Sequence, residues 1–275
     1  MNESIRHANG WLWLTFPIVI LLAIATAGGL FVNGLYRDNP YYVAQAIGQD
    51  FASLVIVLPT LLIAAFLASR GSARARLVWL GGLIYLVYTY VVAAFDTSFN
   101  SFFLVYVALL GCSLYALIGG LVTSNMPNIK EGFTEKTPVK AVSIYLAVLA
   151  VLFYFLWLSE IVPALLAGGI PQSIQENGTA TNAVHVLDMA WILPAFAITA
   201  VSLWRKQALG YTLAGALLSY AVLLILAILS MVVFMIWGGQ PVVAPQVVIF
   251  GGLFAITLGI LIWYLREVSS ISISK

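Results

Sequence analysis

The chain has 275 residues, 63% of them hydrophobic and 8% charged, with a formal net charge of +2. That balance lies far outside the range of soluble globular domains, and no polar block is long enough to form an aqueous domain of its own. Soluble enzymes and nucleic-acid binders are excluded; the composition predicts an all-α, polytopic membrane helix bundle in which residues 1–275 form one integral domain whose partner is the lipid bilayer.

Eight apolar segments follow in order: 11–35, 51–69, 77–95, 102–122, 141–166, 185–204, 211–237 and 247–265. Each is long enough to cross a hydrocarbon core of about 30 Å at about 1.5 Å per residue. The first segment resembles a secretory signal, because Arg6 precedes it and Ala25-Thr26-Ala27 has small-x-small spacing. Its apolar run continues to Leu35, which favours a retained helix. The connections alternate in charge. Arg6, then Arg70, Arg74 and Arg76, then Lys130, Lys136 and Lys140, then Arg205 and Lys206, and finally Arg266 and Lys275 fall on one side, and Arg37 alone on the other. Basic loops stay in the cytoplasm, so the reading is a multi-pass cell-membrane protein with both termini cytoplasmic.

The acids divide the opposite way. Glu3, Glu131, Glu135 and Glu267 lie inside, whereas Asp38, Asp50, Asp96, Glu160, Glu176 and Asp188 lie outside. Asp50 to Arg70, Arg76 to Asp96, and Lys140 to Glu160 are each twenty residues, about 30 Å of helix. With Asp188, this sets four carboxyls from four helices at one depth, the outer edge of the hydrocarbon. Two readings of that coincidence stand. Either the acids end helices and face water, Asp50 and Asp188 complementing helix N-termini. Or Asp50, Asp96, Glu160 and Asp188 share an acidic vestibule, joined by His185, one turn from Asp188 on the same face. His185 is the only histidine outside the N-terminal tail, so a site with two or three histidines cannot form.

Asp50 opens the second span, with Pro59 beyond it and Arg70 eleven residues after the proline. Asp188 opens the sixth, with Pro194 and then Arg205 at the same distance. Gly82 and Tyr85 in the third span match Gly215 and Tyr220 in the seventh with a slip of two residues. These matches suggest two tandem four-helix repeats, 1–138 and 139–275, with Asp50 and Asp188 equivalent. Pro17, Pro59 and Pro194 are candidate bends.

Small residues four apart, at Ala108, Cys112, Ala116 and Gly120 and at Gly251, Ala255 and Gly259, predict close helix contacts. Cys112, the single cysteine, allows no intramolecular disulfide. Trp11, Trp13, Trp79, Trp204, Trp237 and Trp263 lie near span ends, where interfacial belts form. Tyr85, Tyr88, Thr89, Val92 and Asp96 share a face of the third span, and the loop 168–181 is the longest on the outer side. A short interfacial helix is expected within 36–49.

The chain contains no glycine-rich phosphate loop, no Cys-x-x-Cys or His-Glu-x-x-His motif and no Gly-x-Ser-x-Gly. Gly34-Leu35-Tyr36-Arg37-Asp38, Gly48-Gln49-Asp50, Arg70-Gly71-Ser72 and His185-Val186-Leu187-Asp188 resemble stretches in a loose group of bacterial multi-span membrane proteins. The resemblance implies a prokaryotic cytoplasmic membrane; it supplies no activity, and no functional residue is carried over from it. The residues leave three functional classes open. One is an outward-facing acidic vestibule that binds or transports a cation, a proton or a small cationic solute. Another is a membrane enzyme in which the same carboxyls and His185 hold a divalent metal that activates water. The third is a structural or assembly partner without a small ligand.

Overall fold

The computed structural model describes residues 10–268, so Glu3, Arg6 and Lys275 lie outside the described residues. Eight helices in the described chain are long and apolar enough to cross a membrane. They are α1 (Trp11–Phe31), α2 (Pro40–Ser69), α3 (Ala73–Phe95), α4 (Phe103–Val122), α6 (Val139–Leu166), α8 (Ala183–Trp204), α9 (Ala208–Trp237) and α10 (Ala244–Arg266). Two short helices, α5 (Met126–Glu131) and α7 (Gln172–Asn177), sit in connections. Each expected span is present, with one substantial shift. Residues 36–49 do not form a separate interfacial helix: Asn39 caps the nitrogen of Tyr42, Pro40 occupies the first turn, and the helix runs on into the second span.

The bundle is built around α3 and α9. Every side chain from Gly81 to Tyr90 on α3 is buried, as is nearly all of α9 from Gly210 to Leu223. Their crossing is close, since a Cβ added to Gly81 would sit 2.5 Å from the Ala216 carbonyl oxygen. A glycine here lets two backbones meet, which in lipid is where helix association gains most. The outer helices expose their apolar sides, with Val151 70% and Phe155 74% accessible on α6, as lipid-facing helices must.

Several backbone features of the two halves recur at a shift of 135 residues (53 to 188, 69 to 204, 73 to 208), whereas the helix starts at Pro40 and Ala183 and at Phe103 and Ala244 do not. Helix ends match at Phe31 and Leu166 and at Ser69 and Trp204; helix starts match at Ala73 and Ala208. Wide π-turns match too, at Ser53–Val57 and Asp188–Ile192, each closed by an amide bonding five residues back, Leu58 to Ser53 and Leu193 to Asp188. Proline explains both. Pro59 and Pro194 have no N–H and clash with the carbonyl four residues earlier, and a widened turn relieves that clash. Even the left-handed residue after each pair recurs, as Gly71 with φ 89° and Lys206 with φ 54°. Gly81 and Ala216, which correspond at this shift, meet each other at the α3/α9 crossing.

This register corrects the expected equivalence of Asp50 and Asp188. Asp50 corresponds to His185, and Asp188 to Ser53; Tyr85 and Tyr220 match without any slip. Two packing expectations also change. Gly119 and Gly120 are filled by Trp11 and Trp79, but Gly251 and Gly259 on α10 face open space, so the second small-residue stripe makes no close contact within the described chain. Trp79 is fully buried, its Nε1 donating to Thr15 Oγ1 at 2.9 Å, and is no part of an interfacial belt.

Candidate functional site

At the end of the bundle opposite the basic loops, α2, α3, α6, α8, α9 and α10 enclose a cavity of about 340 Å³. Three of the five sequence-predicted site residues line it: Asp50, Asp96 and Asp188. Asp50 comes from well inside α2 rather than from its start, so the helix-dipole reading fails for it. The Tyr36 hydroxyl donates to Asp50 Oδ2 at 2.5 Å, and the carboxyl sits against Gly29 of α1, where any Cβ would overlap it. Asp188 lies in the π-turn of α8. The Tyr88 hydroxyl donates to its Oδ1 at 3.0 Å and the Trp157 Nε1 to its Oδ2 at 2.9 Å. Asp96 follows the last turn of α3, and its Oδ2 accepts the Ala183 amide at 2.8 Å, at the first turn of α8. Asn182 caps the next two amides of that turn. The carboxyl thus meets the positive end of a neighbouring helix rather than the negative end of its own. Burial holds the Asp96 carboxyl above the usual carboxyl range, partly offset by the Ala183 amide. The Tyr36 hydroxyl is also raised, first by burial and then by the charge of Asp50.

Glu160 and His185 do not line the cavity. His185 Nε2 lies 3.7 Å from Glu160 Oε2, while Glu160 Oε1 accepts the Ser173 amide at 2.7 Å. The His185 ring packs on Trp157 with centroids 4.6 Å apart, so Trp157 stands between this pair and Asp188. The loop 168–181 contributes to the cavity wall. Its α7 ends at Asn177, which lines the cavity and accepts from Gln45 at 3.3 Å.

Sequence reasoning missed most of the wall. Seven tyrosines face the cavity, Tyr36, Tyr41, Tyr42, Tyr88, Tyr90, Tyr106 and Tyr220, while no Lys, Arg or His does. A signal existed, since Tyr88, Tyr90 and Tyr220 fall deep in spans rather than at their ends, where a phenol hydroxyl needs a partner. Beside these polar groups the lining is apolar, with Phe153, Phe196, Leu224, Ile225, Ile228 and Leu253. The arrangement can hold a positive charge and hydrocarbon in the same cavity. The ligand set for a metal does not assemble: among the described residues no group of three or more His, Cys, Asp or Glu side chains converges.

Fold and cavity together define a polytopic helical membrane protein. Comparison with known proteins found no matching family model, no matching curated protein and no matching solved structure.

Proposed function

We propose that this chain resides in a bacterial cytoplasmic membrane with both termini inside, and that its cavity opens outward and binds or transports a cation, a proton or a small cationic solute. The observation that carries the reading is the cavity wall itself: Asp50, Asp96 and Asp188 beside seven tyrosines, with no basic side chain among them. An aspartate at the centre of a spanning helix costs about 2.5–3.5 kcal/mol on insertion scales, so Asp50 and Asp188, inside their spans, with Asp96 at the same cavity call for a compensating charge or proton. Tyrosine faces add attraction for a cation, about 0.5–2 kcal/mol each according to solvation. Among the described residues, no three His, Cys, Asp or Glu side chains of the kind a metal-dependent enzyme would use converge.

Calorimetric titration of the protein in lipid nanodiscs with Na⁺, K⁺ and tetramethylammonium tests the proposal. At least one cation binds saturably, acetate does not, and Asp188→Asn weakens binding about tenfold or more, the loss expected for a desolvated charge partner. Absence of saturable binding for every cation, at both neutral and alkaline pH, overturns it.

A further inference from the structure

The correspondence between the halves is close at the α2–α3 and α8–α9 turns and is broken at the cavity. In the first half, Ser53 Oγ and Tyr85 Oη hydrogen-bond at 2.8 Å and close the space between α2 and α3. The equivalent pair in the second half, Asp188 and Tyr220, lines the cavity instead. Asp188 is taken by Tyr88 and Trp157, while the Tyr220 hydroxyl, 1% exposed, has no hydrogen-bond partner among the described residues. A buried hydroxyl left in this state costs about as much as a lost hydrogen bond, which marks the place where a polar ligand group would be held.

A second break lies in the wall. Helices α1 and α4 of the first half pack closely, with the Phe102 ring against Gly28 and Trp11 against Gly119. Their equivalents α6 and α10 do not pack closely; they lean on α8 and α9 respectively and touch each other through Tyr145 Oη and Thr257 Oγ1 at 2.5 Å. Toward the cavity end of the two helices, Leu156 of α6 and Phe250 and Leu253 of α10 line the cavity, and Leu156 is 47% exposed. An accessible cavity-lining side chain between two helices that do not pack closely points to an opening in the wall. The opening faces hydrocarbon, because the neighbouring Val151, Phe155 and Val248 are at least 70% exposed and apolar.

We infer that the cavity takes an amphiphile with a cationic head, such as an alkylammonium, which enters sideways from the bilayer between α6 and α10. The head lies at Asp188 and Tyr220, and the tail runs along Phe153, Leu156 and Leu253. The occupant follows from complementarity: carboxyls and phenols without a basic residue, apolar side chains beside them in the same cavity, and loosely packed wall helices facing lipid. This inference rests on the cation reading above and adds the tail and the route.

The experiment titrates nanodiscs holding the protein with tetramethylammonium, octyltrimethylammonium and uncharged octanol, subtracting binding to empty discs. Octyltrimethylammonium binds at least about tenfold tighter than tetramethylammonium, since each methylene moved from water into an apolar site is a factor of about four. Leu156→Trp, which fills the opening, weakens the octyl compound selectively. Tyr220→Phe, which keeps the ring and removes the hydroxyl, weakens both cations several-fold with the melting temperature unchanged. Equal affinity for the two cations overturns the amphiphile and its lateral route while leaving the cation reading intact. Binding of neither cation overturns both, and octanol binding as tightly as the octyl cation overturns the cationic head.

Discussion

Among the site acids, Asp96 is the one that lies beyond the end of its spanning helix, and its titration can be argued directly. Burial raises its carboxyl pKa above the unfolded value, with the Ala183 amide opposing. The sign follows from linkage: a raised acid stabilises the fold below its unfolded pKa, and that contribution is lost as pH rises through the folded pKa. Cation binding runs the other way, because the protonated acid no longer attracts. Asp96→Asn keeps an oxygen for the Ala183 amide and removes the charge. Melting temperature measured from neutral pH down into the carboxyl range should therefore rise for wild type relative to the variant, while the wild-type advantage in tetramethylammonium affinity shrinks. Parallel curves in both measurements would sink the assignment. Distance along a helix can be counted in a sequence because the rise per residue is fixed. Azimuth cannot. A π-turn adds a residue to one turn and rotates what lies beyond it by about 100°, which a count along the sequence does not foresee; Asp50 and Asp188 line the cavity, while Glu160 pairs with His185.

The π-turns themselves carry a prediction at the scale of the element. In α8, the Leu193 amide bonds to Asp188, and Pro194 has no N–H to offer the carbonyl of Met189. That carbonyl instead accepts from the Tyr154 hydroxyl of α6 at 2.7 Å, which ties α6 to the bend that positions Asp188. Tyr154→Phe leaves the carbonyl without that donor, at a cost of about 1–3 kcal/mol. A drop of several degrees in melting temperature is expected, together with weaker tetramethylammonium binding. The same substitution in a Pro194→Ala background should cost less, since an alanine amide can take over the carbonyl. If the two changes are additive, the proline is not the reason for the tyrosine contact. From the sequence, Pro59 and Pro194 announced a break in their helices at matching places, but a kink and a π-turn follow from the same residue. Packing decides between them, and the sequence pattern does not encode it. The inclusion of 40–49 in α2 was hidden for a related reason: Gln45, Gln49 and Asp50 look too polar for a span until Thr89, Tyr36 and Asn177 supply partners from other elements.

For the whole molecule, the count of spans was legible because hydrocarbon thickness converts directly into apolar run length, and the repeat was legible at its prolines and its arginines. Its register slipped because apolar stretches match one another with any small shift, whereas helix ends and left-handed turns, which pin it at 135 (71 to 206), are backbone features. Orientation remains a matter of charge. Among the described residues, Arg70, Arg74, Arg76, Lys130, Lys136, Lys140, Arg205, Lys206 and Arg266 sit at one end of the bundle, and the cavity opens at the other, beside Arg37. Several are held by local contacts: Arg74 donates to the Val268 and Arg266 carbonyls at 2.7 and 3.1 Å, and Arg76 to the Gly120 carbonyl at 3.2 Å. Such contacts stabilise the folded end but do not decide which way the chain inserts; the bias against translocating short basic loops does. The test uses Cys112→Ala to remove the one native cysteine, then places a cysteine at the exposed Thr181 of the cavity end or at the exposed Lys136 of the basic end. A membrane-impermeant maleimide applied to intact cells should label Thr181→Cys at once and Lys136→Cys only after permeabilisation. Labelling in the reverse order would turn the cavity toward the cytoplasm; any cation or amphiphile that it receives would then come from the inner leaflet, and the outward-facing part of the proposed function would fall while the chemistry of the wall stood unchanged.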